Sequence, residues 1–100
     1  MKKATTDAVI RRDGLVCQYC GCSVIRGKTI GCNGLIIEHI NGRNCSVSNL
    51  CVACRKCNST KNRRTAHEWL VDIQKKIDML VELHNKSERI KSLIVKLEAE

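Results

Sequence analysis

Two pairs of cysteines, Cys17-x-x-Cys20 and Cys54-x-x-Cys57, constrain this chain more than any other feature. Each C-x-x-C is a tight turn that aims two sulfurs at one point, and two such turns supply the four thiolates of a tetrahedral structural zinc site. The chain needs a staple of this kind. At 100 residues its core is small, and it has one Trp, one Tyr and no Phe to fill it. A metal, disulfides or a partner chain must then contribute to stability. Eight cysteines could instead make four disulfides, but that reading needs a secreted chain. Residues 1–14 contain no apolar run of the kind a signal peptide requires. No stretch approaches the ~18 apolar residues of a transmembrane helix. A reduced, cytoplasmic zinc protein is therefore expected. A C-x-x-C can also be a redox pair, but the thioredoxin-like βαβ context is missing. Cys17, Cys20, Cys54 and Cys57 are the expected zinc ligands. Cys22, Cys32, Cys45 and Cys51 read as small buried hydrophobes, and Cys22 stands close enough to Cys20 to compete for the metal.

The net charge of +8 is uneven: residues 1–64 carry twelve Lys and Arg against three Asp and Glu, and residues 65–100 six against seven. All the cysteines lie in the basic part. This divides the chain into a basic, metal-held module over residues 1–64 and a helical extension over residues 65–100, and a polyanionic partner is expected for the first alone. Charge by itself is equally compatible with a basic surface kept for solubility.

Local patterns place the elements. Residues 5–13 read as a short helix capped by Thr5 or Thr6, with Gly14 as its stop. Ala8, Val9 and Leu15 would face inward, and Arg11 and Arg12 outward within reach of phosphate. Residues 22–34 carry three glycines without periodicity and read as a loop. Leu35 to Ile40 form a short strand interrupted by Glu38-His39, and Asn41-Gly42 is a turn signal. Leu50 to Ala53 form a second strand, and a helix follows from about Cys54 to Arg64. Beyond residue 65 there is no Gly, Pro or Cys. Trp69, Leu70, Ile73, Ile77 and Leu80 make one apolar stripe, and Leu83, Ile90, Ile94 and Leu97 a second one rotated from it. The pattern fits one long helix or a helical hairpin, and the rotation favours a break near His84–Ser87. His84 reads as an exposed helix residue.

The chemistry concentrates between Glu38 and Lys61. A carboxylate beside a histidine provides a hard oxygen ligand and a general base on adjacent residues. Asn58 offers a second oxygen ligand, and a Mg²⁺-type ion held by two such groups keeps open positions for phosphate and water. A neutral His39 could then take a proton from an attacking water. A bland alternative has Glu38 paired with an arginine and His39 as a strand-end histidine.

In order along the chain stand Cys17 to Gly21 (C-x-x-C-G), Glu38-His39, Asn49-Leu50, and Cys54 to Lys61 (C-x-x-C-N-x-x-K). This succession resembles the HNH endonucleases of the four-cysteine zinc type, over about residues 5–64. The resemblance implies an α+β fold: a zinc-braced ββα-metal core with a short N-terminal helix and the helical extension. It implies a DNA endonuclease with His39 as general base and with Glu38 and Asn58 as ligands of a catalytic Mg²⁺ or Mn²⁺. Asn49 would hold the loop between the strands and orient His39. Lys61, with Arg55, Lys56, Arg63 and Arg64, would meet phosphate of double-stranded DNA. It further implies a cytoplasmic setting in a bacterial or phage-infected cell. The family more often has Asp where this chain has Glu38, which shifts metal geometry. A non-catalytic zinc module that binds nucleic acid would use the same cysteines. Residues 65–100 would either pack back on the core or join two copies as a homodimer.

Overall fold

A computed structural model describes residues 2–99. The order of elements is α1 (Lys3–Asp13), β1 (Leu35–His39), a 3-10 turn (Val47–Asn49), β2 (Leu50–Cys54), α2 (Arg55–Lys61) and α3 (Ala66–Glu98). The chain divides after His67 into two compact units. The fold is α+β, with three helices, one two-stranded antiparallel sheet and a cysteine cluster.

The sheet is the centre of the first unit. β1 and β2 pair with Leu35 opposite Cys54 and His39 opposite Leu50. Every residue of β2 is buried, which its run of Leu50, Cys51, Val52, Ala53 and Cys54 explains: a strand covered on both faces carries no polar alternation. Val9 of α1 and Val24 complete the buried core with Cys17. Among the described residues only four aliphatic side chains of any size, Val9, Val24, Leu50 and Val52, are buried.

α1 begins two residues earlier than the threonines suggested. Lys2 is its N-cap and makes no side-chain bond; the Lys2 carbonyl accepts instead from the amides of Thr5 and Thr6, at 3.1 Å each. Gly14 closes the helix at φ 73°, where glycine carries no steric penalty. Leu15 is 43 % exposed rather than inward. Arg12 is a structural residue, not a free cation. Its Nη1 donates to the Val47 carbonyl at 2.9 Å and its Nη2 to that of Leu50, so it ties α1 to the start of β2. Asp13 beside it accepts from the Val52 amide at 3.0 Å.

Residues 22–34 are irregular, as glycine content suggests, but not unattached. Ser23 bridges Val16 and Ile25 bridges Gly34. The carbonyls of Cys32 and Gly34 accept from the amides of Lys56 and Arg55, which satisfies two of the amides that the first turn of α2 leaves open. α2 ends at Lys61, short of Arg64, because Asn62 turns to φ 57° and donates its amide to the Asn58 carbonyl. Asn is among the non-glycine residues enriched at positive φ.

α3 is one unbroken helix of 33 residues. The break expected near His84–Ser87 does not occur. Asn85 and Ser87 are mediocre helix formers rather than breakers, and residues with real breaking power, Gly and Pro, are missing there. Its first amide, on Ala66, is held by the carbonyl of Ile40 and by Oδ1 of Asn41. Among the described residues no helix is long and apolar enough to cross a membrane.

Candidate metal centre and the Glu38–His39 pocket

The two C-x-x-C turns meet. Between Cys17 and Cys22 the backbone closes a tight loop, with the Cys17 amide donating to the Cys22 carbonyl at 2.8 Å and the Gly21 amide to the Cys17 carbonyl at 2.9 Å. Gly21, at φ 79°, permits that reversal. The Gln18 amide donates to the Val52 carbonyl at 2.9 Å, which docks the turn on β2. The same strand ends in Cys54, whose sulfur caps α2 by accepting from the Cys57 amide at 3.3 Å. The result is four sulfurs, of Cys17, Cys20, Cys54 and Cys57, all within 4.8 Å of one another. A tetrahedral zinc with bonds of about 2.3 Å needs sulfur–sulfur edges of about 3.8 Å, and Cys20 and Cys54 stand 3.8 Å apart. The set therefore fits a structural metal such as zinc.

The acid–base chemistry of the cluster suits a cation. The Cys22 amide and then the Cys22 thiol hold Cys20 down to about 6. Cys22 in turn is pushed up to about 12, first by its bond to Cys20. Burial raises Cys57. A divalent cation bound among these sulfurs would stabilise their thiolate forms. All eight cysteines are free thiols. Of the four outside the cluster, Cys51 is buried and Cys22 half-buried, but Cys32 and Cys45 are exposed, which corrects their reading as buried hydrophobes.

Glu38 lies on the opposite side of its strand from His39, because alternate strand residues face opposite ways. It pairs in register with Cys51 and is 6 % exposed. A buried carboxylate needs partners, and it has two. Lys61 donates to Oε1 at 2.7 Å, and the Tyr19 hydroxyl donates to Oε2. Burial and then the Glu38 carboxylate push the Tyr19 phenol up, which keeps it a donor. Lys61 is itself 2 % exposed and gives a second bond, at 2.9 Å, to the His39 carbonyl. This corrects the expectation that Lys61 meets phosphate: its ammonium is turned inward, where it holds Glu38 and the end of β1 together. The bland alternative paired Glu38 with an arginine; the cation that pairs with it is Lys61.

The remaining residues separate into two groups. Glu38, His39, Asn58, Lys61, Arg63 and Arg64 line one cavity of about 500 Å³, together with Arg43. Asn49, Arg55 and Lys56 do not line it. Asn49 pins the hairpin loop, accepting from the Asn41 amide at 3.0 Å and donating to the Asn44 carbonyl at 2.8 Å. That loop brings Cys45 to His39, with 3.4 Å between Sγ and Nε2. Arg64 is bonded to the carbonyls of Lys61 and Thr60 and closes the C-terminus of α2, a favourable place for a cation. Arg63 and Lys56 are exposed.

Sequence reasoning missed Tyr19, Cys45 and Arg43. A signal existed for Tyr19 alone: a carboxylate, Glu38, between the apolar residues Ile37 and Ile40 must be matched by donors. No known protein family, curated protein or solved structure matches the chain.

Proposed function

We propose that the first unit is a zinc-braced, divalent-metal-dependent DNA endonuclease of the HNH type, with a ββα-metal core formed by β1, β2 and α2. The observation that carries this reading is the cavity of about 500 Å³ whose lining includes Glu38, His39 and Asn58 together with Arg43 and Arg63. A hard oxygen pair, an imidazole and exposed cations in one concave site are the parts that phosphodiester hydrolysis requires.

Glu38 and Asn58 would hold the catalytic Mg²⁺ or Mn²⁺. The donor set fits: a carboxylate offers about four acceptor positions, and Lys61 and Tyr19 engage one on each oxygen. Held there, such a cation would supply charge neutralisation to the phosphate. His39 is the base that accepts the proton of the attacking water. His39 Nε2 lies 3.4 Å from the Cys45 sulfur; in the tautomer that donates to that sulfur, Nδ1 would be the nitrogen left to accept the proton. Asn49 fixes the loop that carries Cys45 and so acts through His39 rather than on substrate. Arg63, Arg43, Lys56 and Arg55 draw the DNA backbone to the cavity, while Lys61 keeps Glu38 in place.

A second reading has its own support. Glu38 is already paired and buried, as in a purely structural carboxylate, and the unit would then be a zinc module that binds nucleic acid without cutting it. Plasmid nicking decides between them. Zinc-loaded protein should nick only after Mg²⁺ or Mn²⁺ is added, and His39→Ala should lose about 10²–10⁴ in rate with zinc content and DNA affinity unchanged. Nicking by His39→Ala at the parent rate rejects the catalytic assignment, and absence of nicking by the parent favours the binding module.

A further inference from the structure

None of the residues of α3 is buried, although Ile73, Leu80, Leu83, Ile90, Ile94 and Leu97 all point large apolar groups outward. A surface of this extent marks an interaction site. These residues share a seven-residue repeat. Numbering the heptad from Ile73 places positions 73, 80, 87 and 94 on one row of the seam, and 76, 83, 90 and 97 on the other. Two polar residues interrupt it, Lys76 and Ser87.

Those interruptions identify the occupant. In a parallel pair each row meets its own copy, so Lys76 would face Lys76, and Lys86 would flank Lys91. Both contacts set like charges together. In an antiparallel pair the two rows face each other. Ile73 then meets Ile90 and Leu80 meets Leu83. In the same register Lys76 of each chain meets Ser87 of the other, so the polar residues pair with one another in two symmetry-related layers and none faces an apolar residue. The hydroxyl accepts from the ammonium and no cation faces another. Ile77 and Met79 lie at the flanks of the same layers, where His84 and Lys86 of the second copy can lay their apolar stems across them. The chain complements its own reverse in every central layer.

We infer that α3 pairs with α3 of a second copy of this chain as an antiparallel two-stranded coiled coil, centred between Leu80 and Leu83. This holds whichever chemistry the zinc-braced unit performs.

Sedimentation of the full, zinc-loaded chain tests it. The parent should be a dimer at tens of micromolar concentration. Leu80→Glu and Leu83→Lys should each raise the dissociation constant by more than about 100-fold, since each buries an unpaired charge in two layers. Combined in one chain they should recover the dimer to within about tenfold, because the new carboxylate and the new ammonium face each other only when the helices run in opposite directions. An amine cross-linker applied to the parent gives a second readout without any substitution. At 1.5 Å per residue the two copies of Lys96 lie about 40 Å apart when antiparallel, so they should not be joined, whereas a parallel pair would join them readily. A monomeric parent at 100 µM or so, a double variant no tighter than the single ones, or a Lys96–Lys96 cross-link would each overturn the proposal.

Discussion

Replacing Lys61 by Met separates its two assignments. The side chain is nearly isosteric, so the core keeps its volume while the ammonium disappears. Two bonds go with it: the 2.7 Å contact to Glu38 and the 2.9 Å contact to the His39 carbonyl. A hydrogen bond to a charged group is worth about 1.5–3 kcal/mol, and the carbonyl contact is charge-assisted too. The total matches the 3–5 kcal/mol expected when one partner of a buried pair is removed and the other is left. Hydrogen exchange of the β1 and β2 amides reads this within the first unit alone. Their protection should fall by about 10²–10⁴. If Glu38 then has affinity for a divalent cation, millimolar Mg²⁺ or Mn²⁺ should restore part of that protection in Lys61→Met, in proportion to ligand concentration over dissociation constant. Protection within a factor of about three of the parent would refute the buried-pair argument. It would return Lys61 to the surface as a phosphate contact, with a reduced salt slope of DNA binding as the visible effect.

Cys54→Ser should abolish stoichiometric zinc binding and unfold the first unit, seen as loss of amide dispersion in NMR. Structural zinc contributes about 10–16 kcal/mol in small domains, whereas burying Val9, Val24, Leu50 and Val52 contributes about 6–12 kcal/mol at 1.5–3 each; a zinc-free variant with native dispersion would contradict this. Gly34→Ala should cost about 1–3 kcal/mol, measured as a lower urea midpoint, because an added Cβ would lie 2.4 Å from the Lys28 carbonyl oxygen and 2.6 Å from Arg55 Cδ. The Arg12 guanidinium, and then the Val52 amide, hold the Asp13 carboxyl below the usual carboxylate range. Its contribution to stability is therefore complete above the unfolded value of about 3.9 and is lost only as pH falls through the lower folded value. The carboxyl carbon shift of Asp13 should stay flat down to pH 4, and a midpoint at or above 4 would contradict the pairing.

Several features were legible from residue order alone because their causes are local. C-x-x-C-G carries its own turn, with Gly21 supplying a conformation that other residues avoid. The run from Leu50 to Cys54 announces a strand covered on both faces. The absence of Gly and Pro beyond residue 65 announces helix. The convergence of Cys17, Cys20, Cys54 and Cys57 was legible too, since four thiolates in a chain with so little apolar bulk have few other uses. What only the tertiary structure decided concerns partners, because a partner is set by packing across the chain and not by neighbours along it. Lys61 and Arg12 look in sequence like any other surface cation. The fold turns Lys61 inward to Glu38 because a strand residue facing the covered side of β1 must be neutralised, and α2 presents its ammonium at that depth. It sends Arg12 to the carbonyls of Val47 and Leu50 because those groups are left open where β2 begins. Cys45 meets His39 only because Asn49 closes the hairpin loop. Continuity of α3 through Asn85 and Ser87 was undecided in sequence for a related reason. Propensity differences there are tenths of a kcal/mol per residue, too small for local order to choose between one helix and two.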